Sequence, residues 1–434
     1  MRNSSNITSS NILSSIFIPT NSVSVILIGG PQTGTRFRPL SFKVPKPLFP
    51  VGPQPLIHHH ISACAKIKTI KSIFLIGNYN SEEPLLLDFL SKTRLEFPSL
   101  KIIYLQEYTT LGTAGALHHF RDILKSAAGN DSHIFVLNGD VLCGFPLIEM
   151  IKKCNNLDQN IMLTAKSEQK RQTLGCLIVD DDSDDKIVHF VEKPENFLPS
   201  HISCGVYLLN IETLFETITE TISLKDQIES DWTNIDQKLP TSLEKSVFPS
   251  LVSNGNFYSY CLESLPGGMH WTQIKSPSSC LNANRLILLF AKNNVFIHPT
   301  AKIHKDASIG PNVSVGENCV IDEGVRIKES IILPGCQVAS HSCIINSIIG
   351  WNTRIGSWNH IEGVIEKINP NQEHSVFESE QNVYFTQDGM MKKIVTIIGH
   401  GSGLQLYECL VGRPASVLLK GGGHRRVAMR KTLG

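Results

Sequence analysis

The sequence predicts two architectures in series: an α/β domain with a mostly parallel, Rossmann-like sheet, then a left-handed parallel β-helix built on a six-residue repeat. Three observations carry that reading. From Val23, short apolar runs alternate with longer helical segments. The first of those runs feeds straight into glycines at Gly29 and Gly30. From Ile297, aliphatic residues recur at every sixth position.

Residues 1–21 are rich in Ser and Asn, their apolar stretch from Ile12 to Ile18 is broken by two serines, and Arg2 is their single base. They read as a disordered tail rather than a secretory leader. Val23–Ile28 reads as a buried strand, with Ser72–Ile76, Lys101–Leu105 and His133–Leu137 as further strands. Pro55 to about Lys68, Glu82–Leu95 and Thr113–Leu124 read as helices between them. Strands alternating with helices predict a sheet covered on both faces. Such sheets bind ligands beyond the carboxyl ends of their strands, where the Gly-rich loop after Ile28 and the acid Asp140 both fall. Leu177–Pro194 reads as a hairpin whose tip, Asp180–Asp185, is a solvated acidic turn. The α/β domain is drawn at residues 22–293.

The repeat begins with Ile297, Ile303, Ile309, Val315, Ile321, Ile327 and Leu333, all six apart. Slips of five then bring Val338, Ile344, Ile349, Ile355 and Ile361 into the series. A period of six reads as three short edges of a triangular coil, with the aliphatic side chain pointing inward at each corner. The β-helix is drawn at residues 294–399, interrupted by a polar insertion at residues 369–391. No rung is legible after His400, so residues 400–434 read as a divergent, disordered tail. Solenoids of this kind usually pair or stack, which predicts oligomers.

Hydrophobic residues are 41% of the 434 and charged residues 18%, enough for a large core and incompatible with wholesale disorder. A net charge of +1 gives no charge excess to attract nucleic acid or an anionic membrane. No apolar run reaches the roughly 18 residues of a membrane-spanning helix. The 11 cysteines contain no C-x-x-C pair, which reads as reduced thiols in a cytoplasmic protein.

The loop after the first strand is Gly29-Gly30-Pro31-Gln32-Thr33-Gly34-Thr35-Arg36, and Lys46 follows between two prolines. Glycines let backbone N–H groups approach phosphates without a Cβ clash. Arg36 and Lys46 supply fixed positive charge, the arginine as a bidentate fork. Asn138-Gly139-Asp140 ends an apolar strand, and one carboxylate there suits Mg²⁺, which takes one or two carboxylates plus phosphate oxygens. The run His58–His60 lies in a predicted helix, where adjacent side chains point to different faces and do not converge on one metal.

G-T-R followed by P-K-P resembles the signature of the nucleotidyltransferases that make nucleotide sugars, and the resemblance runs from about Val23 to Gly399. The resemblance implies nucleotide contacts from Leu27, Gly29, Gly30, Gly34, Thr35 and Arg36. It makes Gln106, Gly112 and Thr113, in the string Q-E-Y-T-T-L-G-T, the base-reading loop. Arg36 and Lys46 become the phosphate contacts of the catalytic step, and Asp140 a metal ligand. Gly175, Glu192 and Lys193 become the sugar-phosphate site. Chemistry in this family is an in-line displacement: the sugar 1-phosphate attacks the α-phosphate of the nucleotide and pyrophosphate leaves. Positioning and charge neutralisation carry the rate.

The sequence most resembles the alpha-type branch of the GDP-mannose pyrophosphorylases, or mannose-1-phosphate guanylyltransferases. The phosphate loop is two residues longer than the beta-type G-G-x-G-T-R. Where beta-type chains carry Trp-x-Asp-Ile-Gly, with its metal-binding aspartate, this chain has Trp271-Thr272-Gln273-Ile274-Lys275. The insertion at 369–391 is also alpha-like. The neutral Gln273 is a poor ligand for a hard cation, so Mg²⁺ is expected to be weakly held and catalysis impaired. The branch implies a regulatory subunit that binds GDP-mannose and restrains a catalytic beta subunit, in homo- and hetero-oligomers. An active enzyme using GTP and mannose 1-phosphate is the alternative that the intact Arg36, Lys46 and Asp140 support. A scaffold subunit of the translation-initiation exchange factor shares the two-domain plan, but has no need of an intact phosphate loop.

Overall fold

Alternation of Val, Ile, Leu and Phe along short runs builds the first domain, because each strand must bury both faces. The computed structural model describes residues 22–32, 35–129, 132–154, 156–167, 175–180, 183–192, 200–230, 240–262, 271–363, 396–398, 403–404 and 417–418. The chain runs β1 (Ser22–Gly29), β2 (Pro50–Val51), β3 (Gln54–Pro55), α1 (Leu56–Ala65), β4 (Ile70–Gly77), α2 (Pro84–Glu96), β5 (Lys101–Gln106), α3 (Gly112–His119), α4 (Arg121–Ala128), β6 (His133–Asn138) and β7 (Val141–Cys143). It continues with α5 (Leu147–Lys153), β8 (Asn160–Ser167), β9 (Gly175–Asp180), β10 (Lys186–Glu192), β11 (Ser200–Asn210), α6 (Ile211–Ser230), α7 (Phe248–Ser253), β12 (Phe257–Cys261), β13 (Trp271–Gln273) and α8 (Pro277–Phe290).

Nine strands form one sheet in the order β5-β4-β1-β6-β11-β8-β12-β10-β9. The half holding β5, β4, β1 and β6 is parallel throughout. Beyond β6 the sheet is mixed, because β11 runs antiparallel to both β6 and β8. The expected parallel sheet is therefore confined to the half that carries the Gly-rich loop. Side chains alternate between faces, as a strand requires. Ile26, Ile73, Leu75, Phe135 and Leu137 pack under α1, α2 and α5. Val23, Val25, Phe74, Ile76, Ile134 and Val136 pack under α3, α4, α6 and α7. The helix expected over Thr113–Leu124 is two helices that break at Phe120. The acidic hairpin is present: Asp180 faces Lys186 across β9 and β10, and Lys153 bonds Asp185 at its tip.

A third cluster joins the domains. Phe37, Phe49 and Val51 from the segment after the Gly-rich loop pack with Cys280, Leu281 and Leu286 of α8. Ile331, Leu333 and Ile348 from the C-terminal repeat belong to the same cluster.

The repeat folds into three parallel sheets, compatible with the left-handed coil expected, but each group of six supplies one edge of the coil and not three: Ile297, Ile303 and Ile309 start three different sheets. Strands β14 (Val295–Ile297), β15 (Lys302–Ile303), β16 (Ser308–Ile309), β17 (Val313–Val315), β18 (Val320–Ile321), β19 (Arg326–Lys328), β20 (Ile331–Ile332), β21 (Gln337–Val338), β22 (Cys343–Ile345), β23 (Ser347–Ile349), β24 (Arg354–Ile355) and β25 (His360–Glu362) follow one another around the coil. Three further strands are β26 (Thr396–Ile398), β27 (Gly403–Leu404) and β28 (Val417–Leu418). The sheets read β14-β17-β20-β23-β26-β28, β15-β18-β21-β24-β27 and β16-β19-β22-β25.

The register corrects two expectations. Ile297 lies on Val315, but Val315 lies on Ile332 and Ile332 on Ile349. The first slip therefore falls before Leu333. Ile332 takes the interior place among Val315, Ile327 and Ile344, while Leu333 turns outward into the seam with α8. Secondly, β27 pairs with β24 and β28 with β26, so short rungs exist past His400 where none was legible. The insertion expected at 369–391 lies outside the described residues; beyond it, Ile397 of β26 lies on Ile348.

Candidate functional site

Three parallel strands end side by side, and glycine at each end leaves a floor of bare backbone. Gly29 ends β1 at a φ of 66°, a left-handed backbone that favours glycine. A Cβ on Gly139 would lie 2.8 Å from Leu27 O, and one on Gly30 would lie 2.9 Å from Asn78 Cβ. Asn78 N donates to Gly29 O and Gly139 N to Leu27 O, both at 2.8 Å. These contacts are where β4 and β6 flank β1, so Leu27, Gly29 and Gly30 sit at the carboxyl edge, as the sequence placed them.

The loop beyond is built from inward anchors and outward cations. Thr35–Phe37 form a single turn in which Phe37 is buried and Arg36 exposed. Phe37 meets Phe49 edge-on, 5.1 Å between ring centroids. Thr33 and Gly34 lie outside the described residues. Lys46 opens a second short turn, held by the buried Pro47 and Leu48.

Lys46, Asp140 and Gln273 converge. Lys46 Nζ lies 3.2 Å from Asp140 Oδ2. Gln273 Nε2 donates to Asp140 Oδ1 at 3.2 Å. The pairing of β13 with β7 sets Gln273 opposite Val141, and Ile274 N donates to Asp140 O at 2.7 Å. Both oxygens of the one carboxylate are thus taken by donors of this chain. Gln273 Oε1 is buried and has no hydrogen-bond partner. The Asn138 Oδ1, two residues before Asp140, is likewise buried and unpartnered. Among the described residues no group of three or more His, Cys, Asp or Glu side chains is arranged to hold a metal ion.

Two of the residues expected at a sugar-phosphate site are also brought together. Gly175 and Glu192 face each other across β9 and β10. A Cβ on Gly175 would lie 2.9 Å from Glu192 Oε2 and 2.8 Å from the Phe190 ring. Only glycine leaves room for the carboxylate to cross there. Lys193 lies outside the described residues.

The loop expected to read the base has a structural reason for its residues. Gly112 has a φ of 80°, and a Cβ there would collide with the backbone of Thr241. Thr241 O accepts from Ala114 N at 2.9 Å, capping the start of α3. Thr113 Oγ1 donates to Glu244 Oε2 at 3.1 Å and accepts from Leu243 N at 2.8 Å. Gln106 Oε1 accepts from Ser81 N at 2.9 Å. The string is therefore anchored to Thr241–Glu244, a segment that carries no motif of its own. Its only local signal is Ser242, a helix cap whose side chain accepts from Lys245 N at 3.4 Å.

Residues 23–288 match the family described as Nucleotidyl transferase, and residues 291–402 match the GMPPB C-terminal domain. The chain is 41% identical, over 91% of its own length and 94% of the relative's, to mannose-1-phosphate guanyltransferase alpha-A of Xenopus laevis. It is 41% identical, at the same coverage, to mannose-1-phosphate guanylyltransferase regulatory subunit alpha of Homo sapiens. The corresponding chain of Sus scrofa is 42% identical, again at that coverage.

The chain belongs to the nucleotidyl transferase family.

The two family matches meet between α8 and β14, where the seam cluster lies. The nucleotidyl transferase domain also contains the histidine run, and each imidazole has a different partner. His58 Nε2 pairs with Glu96 at 2.8 Å, His59 with Val51 O at 2.9 Å, and His60 with Leu56 O and Asn138 O at 3.1 and 3.2 Å. Burial pushes His59 and His60 down to about 4, so both are neutral props. A neutral imidazole has one N–H, so His60 donates either to Leu56 O or to Asn138 O; in the Nε2–H tautomer it braces the turn that presents Asp140. No helix among the described residues is long and apolar enough to cross a membrane.

Proposed function

We propose that this chain is a regulatory subunit of a mannose-1-phosphate guanylyltransferase: it binds GDP-mannose in the cleft and restrains a catalytic partner subunit. The observation that carries this is the pairing of both Asp140 oxygens with Lys46 and Gln273. A cradle with cations for a diphosphate persists, while the second carboxylate of the family's metal pair is replaced by an amide. The donors fit Mg²⁺ badly: one carboxylate, already matched by an ammonium, beside an amide that turns its N–H₂ toward it. Charge stabilisation by a metal contributes several kcal/mol to such a transfer. Binding without turnover is the chemistry that remains. The names of the relatives, which print a regulatory alpha subunit, support the same reading, and the partner is by that reading the catalytic beta subunit. Assembly into homo- and hetero-oligomers in the cytoplasm belongs to this proposal.

The test is calorimetric titration of the purified chain with GDP-mannose and with GTP, then co-purification with the catalytic subunit. Saturable micromolar binding of GDP-mannose is expected. Lys193→Ala should weaken it by ~1.5–3 kcal/mol, the worth of a charged hydrogen bond. Absence of binding at millimolar GDP-mannose would remove the sensor reading.

A further inference from the structure

Resting on the proposed binding of a nucleotide sugar, we infer that this cleft takes its diphosphate ligand without a divalent cation, and that Gln273 is the residue that makes it so. The geometry has three parts. First, Lys46 Nζ stands 3.2 Å from Asp140 Oδ2, with the Lys46 side chain only 15% exposed. A fixed ammonium is therefore built in beside the one carboxylate that would hold a metal ion. An ammonium presents three donors, so Lys46 can hold Asp140 and still donate to a phosphate oxygen.

Second, the amide of Gln273 completes a closed arrangement. Its Nε2 donates to Asp140 Oδ1, and its backbone neighbour Ile274 N holds the Asp140 carbonyl. Turning the amide over would set Oε1 against the carboxylate oxygen, acceptor to acceptor. Third, Gln273 Oε1 is buried without a partner. It is a neutral acceptor closed off from solvent, so it brings no negative charge to set against a divalent ion. An aspartate at this position would supply a second carboxylate, unpair the Lys46–Asp140 arrangement, and create the charge that a divalent ion neutralises.

Gln273 acts here as a positioning residue, and the probe is GDP-mannose itself. Its affinity for the full chain is measured by calorimetry in buffer with Mg²⁺ and in buffer with EDTA, for wild type and for Gln273→Asp. For wild type the two dissociation constants should agree within about twofold. For Gln273→Asp the affinity in EDTA should fall, and Mg²⁺ should restore it by about tenfold or more. Titration of Mn²⁺ alone should show saturable binding to Gln273→Asp and none to wild type at the same concentrations. Gln273→Ala removes the amide and adds no charge; its binding should stay insensitive to EDTA, which separates the effect of the new carboxylate from that of losing the glutamine. Loss of wild-type binding in EDTA overturns this inference and leaves the proposed function standing. No binding of GDP-mannose in either buffer overturns both.

Discussion

A methyl group on Gly175 would sit 2.9 Å from Glu192 Oε2 and 2.8 Å from the Phe190 ring, so one hydrogen atom's worth of space decides where the carboxylate goes. Gly175→Ala should displace Glu192 and weaken GDP-mannose binding by about 1–3 kcal/mol, the range for overpacking a filled site; calorimetry checks this, with circular dichroism to show that the fold persists. His59 and His60 give a pH dependence. Burial lowers both from 6.5 to about 4, so the unfolded chain binds protons more readily than the native one between those values. Stability from these residues is complete above about pH 6.5 and is lost as the pH falls toward 4, at about 1.4 kcal/mol per unit for each group. Urea midpoints measured across that interval should fall, and His60→Asn should fall less steeply. Much of this site was legible beforehand because its glycines and cations sit in short contiguous strings. Gln273 was legible as a missing charge. Its donor bond to Asp140 was not, since 133 residues separate the two and only the β7–β13 pairing brings them together.

Among the elements, the coil gives the sharper lesson. Alternation and the sixfold period announced strands and turns, but the phase of the slip depended on which neighbour each aliphatic residue would meet. Ile332 and Leu333 are adjacent and equally apolar, so sequence could not choose between them; the coil interior took Ile332 and the face of α8 took Leu333. The first rung differs again, because it has no turn beneath it: Ile297 is 42% exposed, whereas Ile332 is 1% exposed. Ile332→Ala should therefore cost about 2–5 kcal/mol, as for other buried aliphatic truncations. Ile297→Ala should cost only a fraction of that. Chemical denaturation of the two variants beside wild type measures the difference. The break between α3 and α4 at Phe120, and the capping of α3 by Thr241, were hidden for a related reason. The cap comes from a segment more than a hundred residues away in the chain, and the break from the non-helical backbone of Phe120.

Across the whole molecule, the seam ties the phosphate loop to the coil. Phe37 meets Phe49 at 5.1 Å and Phe49 meets Trp351 at 5.9 Å, both edge-on. Phe37 is the residue after Arg36, and Ile274, the residue after Gln273, is buried in the same cluster. The two domains share a core and should unfold in one calorimetric transition, which Trp351→Ala should split or broaden. The same seam gives a ligand-filled cleft a packed connection to the coil. The central claim remains that the cleft binds without turning over. The most direct measurement is pyrophosphate release from GTP and mannose 1-phosphate by the purified chain, run beside a catalytic subunit at equal concentration. Loss of one well-placed charge-stabilising group costs on the order of 10²–10³ in rate. The expected rate is lower than the catalytic subunit's by at least that factor, and a rate within a few-fold of it would overturn binding without turnover.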